Sequence, residues 1–192
     1  FQLQFVSGSV SQTNLAVPGR STKTFMSEGR WEQALSENPD FILIQFGHND
    51  SHAPDKPEAT DAKADYRQYL RRYIREARAI DATPILITPM VRRAFDATNR
   101  IVESMSPRGR PLETYARAMK DVAGQENVSV IDLYASSRAL AEKIGAQASA
   151  DLASTAGDIT HFNEDGARSM VKLVIAELFD AEPRLAQFLV QL

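Results

Sequence analysis

The 192-residue sequence contains no cysteine, which excludes disulfides and thiolate metal sites. It has no basic excess: 22 Lys and Arg face 25 Asp and Glu, for a net charge of −3. The charges form no long runs, so nothing points to nucleic acid as a partner. No apolar stretch approaches the ~20 residues of a bilayer-spanning helix, so no membrane partner is expected. A Gly-x-Ser-x-Gly nucleophile elbow is also absent. Phe rather than Met stands first, and no signal peptide is visible. The reading is therefore that a leader has been removed or that a longer chain has been cut. Lack of cysteine fixes no compartment, so secreted, periplasmic and cytoplasmic locations all stay open. Oligomeric state leaves no signature.

What is present suits one domain over residues 1–192. The chain is 43% hydrophobic and long enough for a sizeable core. Four short apolar runs read as strands: Val10–Val17, Phe41–Phe46, Pro84–Thr88 and Val128–Asp132. The middle two are nearly continuous apolar runs, the pattern of parallel strands covered on both faces. Helical periodicity alternates with them. Asp61–Ile80 keeps its apolar residues on one face and its arginines elsewhere, and Gly166–Phe179 carries a similar stripe. Shorter helices are expected at Arg30–Ser36, Pro111–Ala123, Ala135–Ile144 and Pro183–Leu192. Alternating strands and helices predict an α/β domain with helices on both sheet faces. Its long loops, Asn49–Thr60 and Val91–Arg110, follow strands and belong at the carboxyl edge, where such folds place their sites.

Three constellations carry chemistry. In "GDITHFNEDGA" (Gly157–Ala167), Asp158 precedes His161 by three residues. A carboxylate there can curl back onto one ring nitrogen and fix the tautomer of a general base. Asn163 reads as a helix N-cap, with Glu164 and Asp165 in the first turn. In "QFGHND" (Gln45–Asp50), Gly47 lets the chain turn after a strand, and Asn49 can offer its amide to an oxyanion. In "NLAVPGRST" (Asn14–Thr22), Gly19 can expose a backbone N–H as a second oxyanion donor. Taken singly, each also fits an ordinary capped turn, a strand-closing turn or a Pro-Gly turn.

Their fixed order resembles the SGNH, or GDSL-type, hydrolases, and within them the rhamnogalacturonan acetylesterase-like enzymes. Gly19-Arg20-Ser21, "EGRW" (Glu28–Trp31), "FGHND" (Phe46–Asp50), "TPMVRRAFD" (Thr88–Asp96), "VSVIDLYASSRAL" (Val128–Leu140) and "DITHF" (Asp158–Phe162) are similar to that subgroup's blocks. The likeness runs from about Val10 to Phe179. It implies a three-layer α/β/α, flavodoxin-like parallel sheet. It also implies Ser-His-Asp ester hydrolysis without a cofactor, with Asp158 and His161 in the triad and Gly19 and Asn49 in the oxyanion hole. The implied partner is an acylated carbohydrate, pectic or xylan-like. Arg20, His48, Arg92 and Arg93 are candidate substrate contacts.

The family's serine lies in a Gly-Asp-Ser block at the tip of the first strand, and this sequence has no Gly-Asp-Ser. Only 18 residues precede Gly19. On this alignment Phe1–Phe5 ends the first helix, and the first strand and its serine lie upstream. The chain is thus expected to be N-terminally incomplete, to lack the first strand, to fold poorly alone and to have no normal triad. Ser7, Ser9 and Ser11 leave no room for the intervening helix and strand, and Ser21 fits a turn or helix start.

Two other readings stand beside this one. His48, Asp50 and His52, with Asp55, could converge on a metal for hydrolysis. That leaves Asp158, His161 and Gly19 without roles. A sugar-binding protein without catalysis could instead use Arg20, Trp31, Arg92, Arg93 and Tyr134, although Trp31 also suits a core.

Overall fold

The computed structural model describes residues 1, 4–103 and 109–190. Three short strands, β1 (Phe41–Gln45), β2 (Thr83–Ile87) and β3 (Ser129–Ile131), form a parallel sheet in the order β1-β2-β3. The register pairs Ile44 with Leu86 and Leu86 with Val130. Alternation along each strand then divides the residues between two cores. Ile44 and Leu86 pack toward α3 (Asp65–Arg78) and α4 (Leu112–Glu126), against Leu70, Tyr73, Met119 and Val122. The same core takes Phe25 and Met26 of α1 (Thr22–Ser27) and Trp31 of α2 (Arg30–Ser36). Ile85, Ile87 and Ile131 face the other way, against Met170, Val174, Ile175 and Leu178 of α6 (Glu164–Ala181). Leu185 of α7 (Pro183–Ala186) closes that side. The α5 helix (Leu133–Ala150) covers a third cluster with Val91, Ile101 and Leu112. These are the layers of an α/β domain with helices on both faces.

The Val10–Val17 strand is not formed. Its residues carry no ladder, and Val10 and Val17 instead pack singly against the two opposite cores. Ser11 to Asn14 are polar and exposed, so the segment has too little apolar surface to bury as a central strand. Among the described residues nothing pairs with β1 on the side away from β2. The five residues "FILIQ" are nevertheless as apolar as those of an interior strand, and Phe41, Ile42 and Leu43 are left half-buried.

Helix ends follow local chemistry. Ser21 caps α1 in a reciprocal box with Thr24, a helix not foreseen from the sequence. Asn163 caps α6 by accepting from the Gly166 N–H, as its position suggested. The α5 helix is longer than its expected span because it continues past Gly145, whose left-handed φ of +81° kinks it. Two residues of the expected helix end at Phe1–Phe5 lie outside the described residues. So do 104–108 of the Val91–Arg110 loop and the last two residues of the Pro183–Leu192 helix. Among the described residues, no helix is long and apolar enough to cross a membrane.

One polar knot fastens the sheet to the α1 side. Asp50, fully buried, accepts from the Thr22 N–H (3.1 Å) and hydroxyl, the Thr60 hydroxyl (2.9 Å) and the Gly47 N–H (3.1 Å). Tyr115 and Arg110 bind the carbonyls of Asp50 and Thr60 around it. Burial pushes the Asp50 carboxyl up to about 6, against the pull of the Thr22 and Thr60 hydroxyls. A carboxyl raised in the folded state holds its proton more tightly there than in the unfolded chain. Its stabilisation is therefore fullest below about pH 4 and declines as pH rises toward 6. Urea unfolding of the wild type and Asp50→Asn from pH 4 to 6.5 should show the wild type losing stability relative to the variant across that window. A constant difference would mean that Asp50 does not titrate there.

Candidate active site

The site is built on three segments at the carboxyl edge of the sheet. The first leaves β1 through Gly47, at φ +135°. A Cβ there would lie 2.7 Å from Pro89 Cγ, so only glycine fits between the two strand ends. A tight turn follows, closed by the Ser51 N–H on the Gly47 carbonyl (2.9 Å). Its geometry turns Asn49 toward the α1 side, where Asn49 Nδ2 donates to the Arg20 carbonyl (3.1 Å). That bond uses one of the two amide hydrogens and leaves the other to be offered. It also joins Asn49 to the Gly19 turn, where Gly19 sits at φ +79°. Arg20 braces the turn through Glu28 (2.9 Å) and the Pro18 carbonyl (3.0 Å).

The second segment leaves β2 and carries Arg92 and Arg93. Arg92 is 2% exposed, and its guanidinium donates to the His48 carbonyl (3.2 Å) and the Ser51 hydroxyl (2.8 Å). It ties the second segment to the first. Arg93 ties the second to the third. Its Nη2 donates to the carbonyls of Asp158 and His161, both at 2.9 Å, and its guanidinium lies 4.1 Å over the Phe162 ring.

The third segment is the loop before α6. His161 Nδ1 lies 2.8 Å from Asp158 Oδ2. The Asp158 side chain is 10% exposed, whereas that of His161 is 65% exposed. Burial favours the neutral form of Asp158. The N–H groups of His161 (2.9 Å) and Thr160 (2.7 Å), the His161 ring and the Ser154 hydroxyl (3.1 Å) outweigh it and hold the carboxyl well below the usual range. Ionised Asp158 can only accept, so Nδ1 carries a proton, and in the neutral ring Nε2 presents a lone pair. No hydrogen bond to Nε2 is formed among the described residues.

The three histidines gather here. His48 is half-buried, and desolvation of its ring first, then the Arg92 guanidinium, push it down to about 3. It is neutral, and its Nε2 is buried without a hydrogen-bond partner among the described residues. The metal set His48, Asp50, His52 and Asp55 is not assembled. Asp50 is used up by Thr22, Thr60 and Gly47, and His52 Nδ1 faces Glu58 at 2.5 Å. Among the described residues no three His, Asp or Glu side chains converge as metal ligands. The proposed sugar contacts Trp31 and Tyr134 are interior, and donate to Glu76 (2.9 Å) and Glu103 (3.2 Å). Sequence reasoning missed Ser154 and Glu58. Both lie in loops without periodicity, where only the folded path brings them to Asp158 and His52.

The chain matches the GDSL-like Lipase/Acylhydrolase family over residues 2–168. It is 39% identical over 167 residues to the probable rhamnogalacturonan acetylesterase YesY of Bacillus subtilis, covering 84% of this chain and 73% of that one. It is 36% identical over 186 residues to the rhamnogalacturonan acetylesterase RhgT of the same species, covering 89% and 75%. The crystal structure of Bacillus subtilis YxiM superposes with a TM-score of 0.77 at 25% identity, over 92% of this chain and 47% of that one. The acetylxylan esterase Axe2 of Geobacillus stearothermophilus shares the fold at 22% identity, with a TM-score of 0.64 over 83% of this chain and 68% of that one. With the parallel sheet, the glycine turns and the Asp158–His161 pair in the expected order, the chain belongs to the GDSL-like lipase/acylhydrolase family.

Proposed function

We propose that this domain hydrolyses acetyl esters on carbohydrate, of the rhamnogalacturonan or xylan type, by a Ser-His-Asp mechanism. The observation that carries the reading is the Asp158–His161 pair. A largely covered, ionised carboxylate fixes the tautomer of an exposed imidazole whose Nε2 is free to take a proton. Asn49 and the Gly19 turn, joined through the Arg20 carbonyl, supply donors for the oxyanion. The names of the two relatives at 39% and 36% identity support the substrate class.

His161 takes the proton of the attacking hydroxyl at Nε2 and returns it to the leaving alcohol. Asp158 orients the ring and stabilises the imidazolium. The Gly19 N–H and the free amide hydrogen of Asn49 hold the negative oxygen. The serine itself is proposed to come from a segment upstream of Phe1, whose strand would lie along β1. Two features support this: the sequence has no Gly-Asp-Ser, and among the described residues no strand pairs with the outer side of the apolar β1. Residues 1–192 would then form an N-terminally incomplete single domain without a nucleophile.

The test is acetate release from acetylated rhamnogalacturonan and acetylxylan by the full-length gene product. His161→Ala should lower kcat by about 10²–10⁴-fold, and Asp158→Asn by a similar factor. Residues 1–192 alone should release no acetate. Full activity of His161→Ala would remove the mechanism, and His161-dependent turnover by residues 1–192 would remove the upstream serine.

A further inference from the structure

Arg93 stands out because its contacts are concentrated on one short loop. Its side chain donates to the carbonyls of Asp158 and His161, and its backbone N–H donates to the Ile159 carbonyl (2.8 Å). Three of the four carbonyls between Asp158 and His161 thus accept from one residue. That residue is anchored: the preceding Val91 N–H is held by the Ser137 hydroxyl (3.0 Å), and the Thr88 N–H by the Ile131 carbonyl (3.0 Å). Arg93 therefore carries the position of β2 into the loop that bears the catalytic pair.

Stability alone explains this guanidinium poorly. Arg93 is 6% exposed, and its Nε and Nη1 are buried without hydrogen-bond partners among the described residues. Burying a cation with part of its donor set unused is costly. An apolar side chain could cover the Phe162 ring without that cost. What an apolar residue could not do is bridge the carbonyls of Asp158 and His161, as the two hydrogens on Nη2 do.

We infer that Arg93 is a positioning residue for the proposed hydrolysis, bridging the Asp158 and His161 carbonyls so that the imidazole meets the carboxylate in one orientation. Sugar binding through Arg93 is set aside on the same contacts. The inference rests on the proposed function for its kinetic consequence, while its structural part stands on the loop alone.

The experiment pairs Arg93→Met with Arg93→Lys. In the full-length protein, NMR should detect the His161 ring Nδ1–H proton bonded to Asp158. Arg93→Met should lose that signal to exchange, and Arg93→Lys should keep part of it. In the full-length enzyme, Arg93→Met should lower kcat by about 10–100-fold with KM changed less than about twofold, the cost of a slightly misplaced base. Arg93→Lys should recover part of that loss. If Arg93→Met does not fold, Arg93→Lys is read by itself against the wild type. A wild-type ring signal and kcat in a folded variant would overturn the inference, as would a raised KM at unchanged kcat, which marks a substrate contact. If the signal is lost while His161→Ala leaves acetate release intact, the positioning holds and the esterase reading fails.

Discussion

The buried carboxylate of Asp50 is the constraint on which the carboxyl edge depends. It gathers the first N–H of α1, the turn glycine Gly47 and the Thr60 hydroxyl onto one pair of oxygens. The neighbouring Asn49 is aimed by that knot. Because Thr22 sits on Asp50, the Gly19-Arg20 turn lies beside β1, and the Arg20 carbonyl comes within reach of the Asn49 amide. Tyr73 and Tyr115, from the two helices on that face, donate to the Thr22 and Asp50 carbonyls. The apolar packing of the α3–α4 layer thereby fixes a polar arrangement at the edge of the sheet.

The other half of the edge is organised by two consecutive arginines with opposite directions of reach. Arg92 turns back to the His48 carbonyl, and Arg93 turns forward to Asp158 and His161. Two adjacent residues in the irregular segment that leaves β2 thus bind both the turn after β1 and the loop before α6. The imidazole itself is left exposed, while the carboxylate and carbonyls that orient it are covered. For the base of the proposed hydrolysis this separation is useful: accessible at Nε2 and constrained at Nδ1.

Charge on this edge is arranged to stay simple. Asp158 is held ionised by the N–H groups and hydroxyl that face it. His48 is kept neutral by burial beside Arg92. In the proposed hydrolysis this leaves the ring of His161 to carry the proton, the division of labour that general-base chemistry requires.

The sequence by itself determined the class of fold and brought Asp158 and His161 within reach of each other. Continuous apolar runs at Phe41–Phe46 and Pro84–Thr88 sufficed for parallel strands, because strands covered on both faces need no polar alternation. The spacing of Asp158 and His161 sufficed for their contact, because three residues of loop can hardly place them far apart. The sequence misread Val10–Val17, whose β-branched ends suggested a strand while its polar centre cannot be buried as one. It also offered Arg92, Arg93, Trp31 and Tyr134 as candidate sugar contacts, with a core place for Trp31 beside that, since a side chain's chemistry does not reveal which way it points. Only the tertiary structure decided that these four are interior. It brings together segments some 40 to 70 residues apart, and contacts at such separations are set by the packing of helices on the sheet.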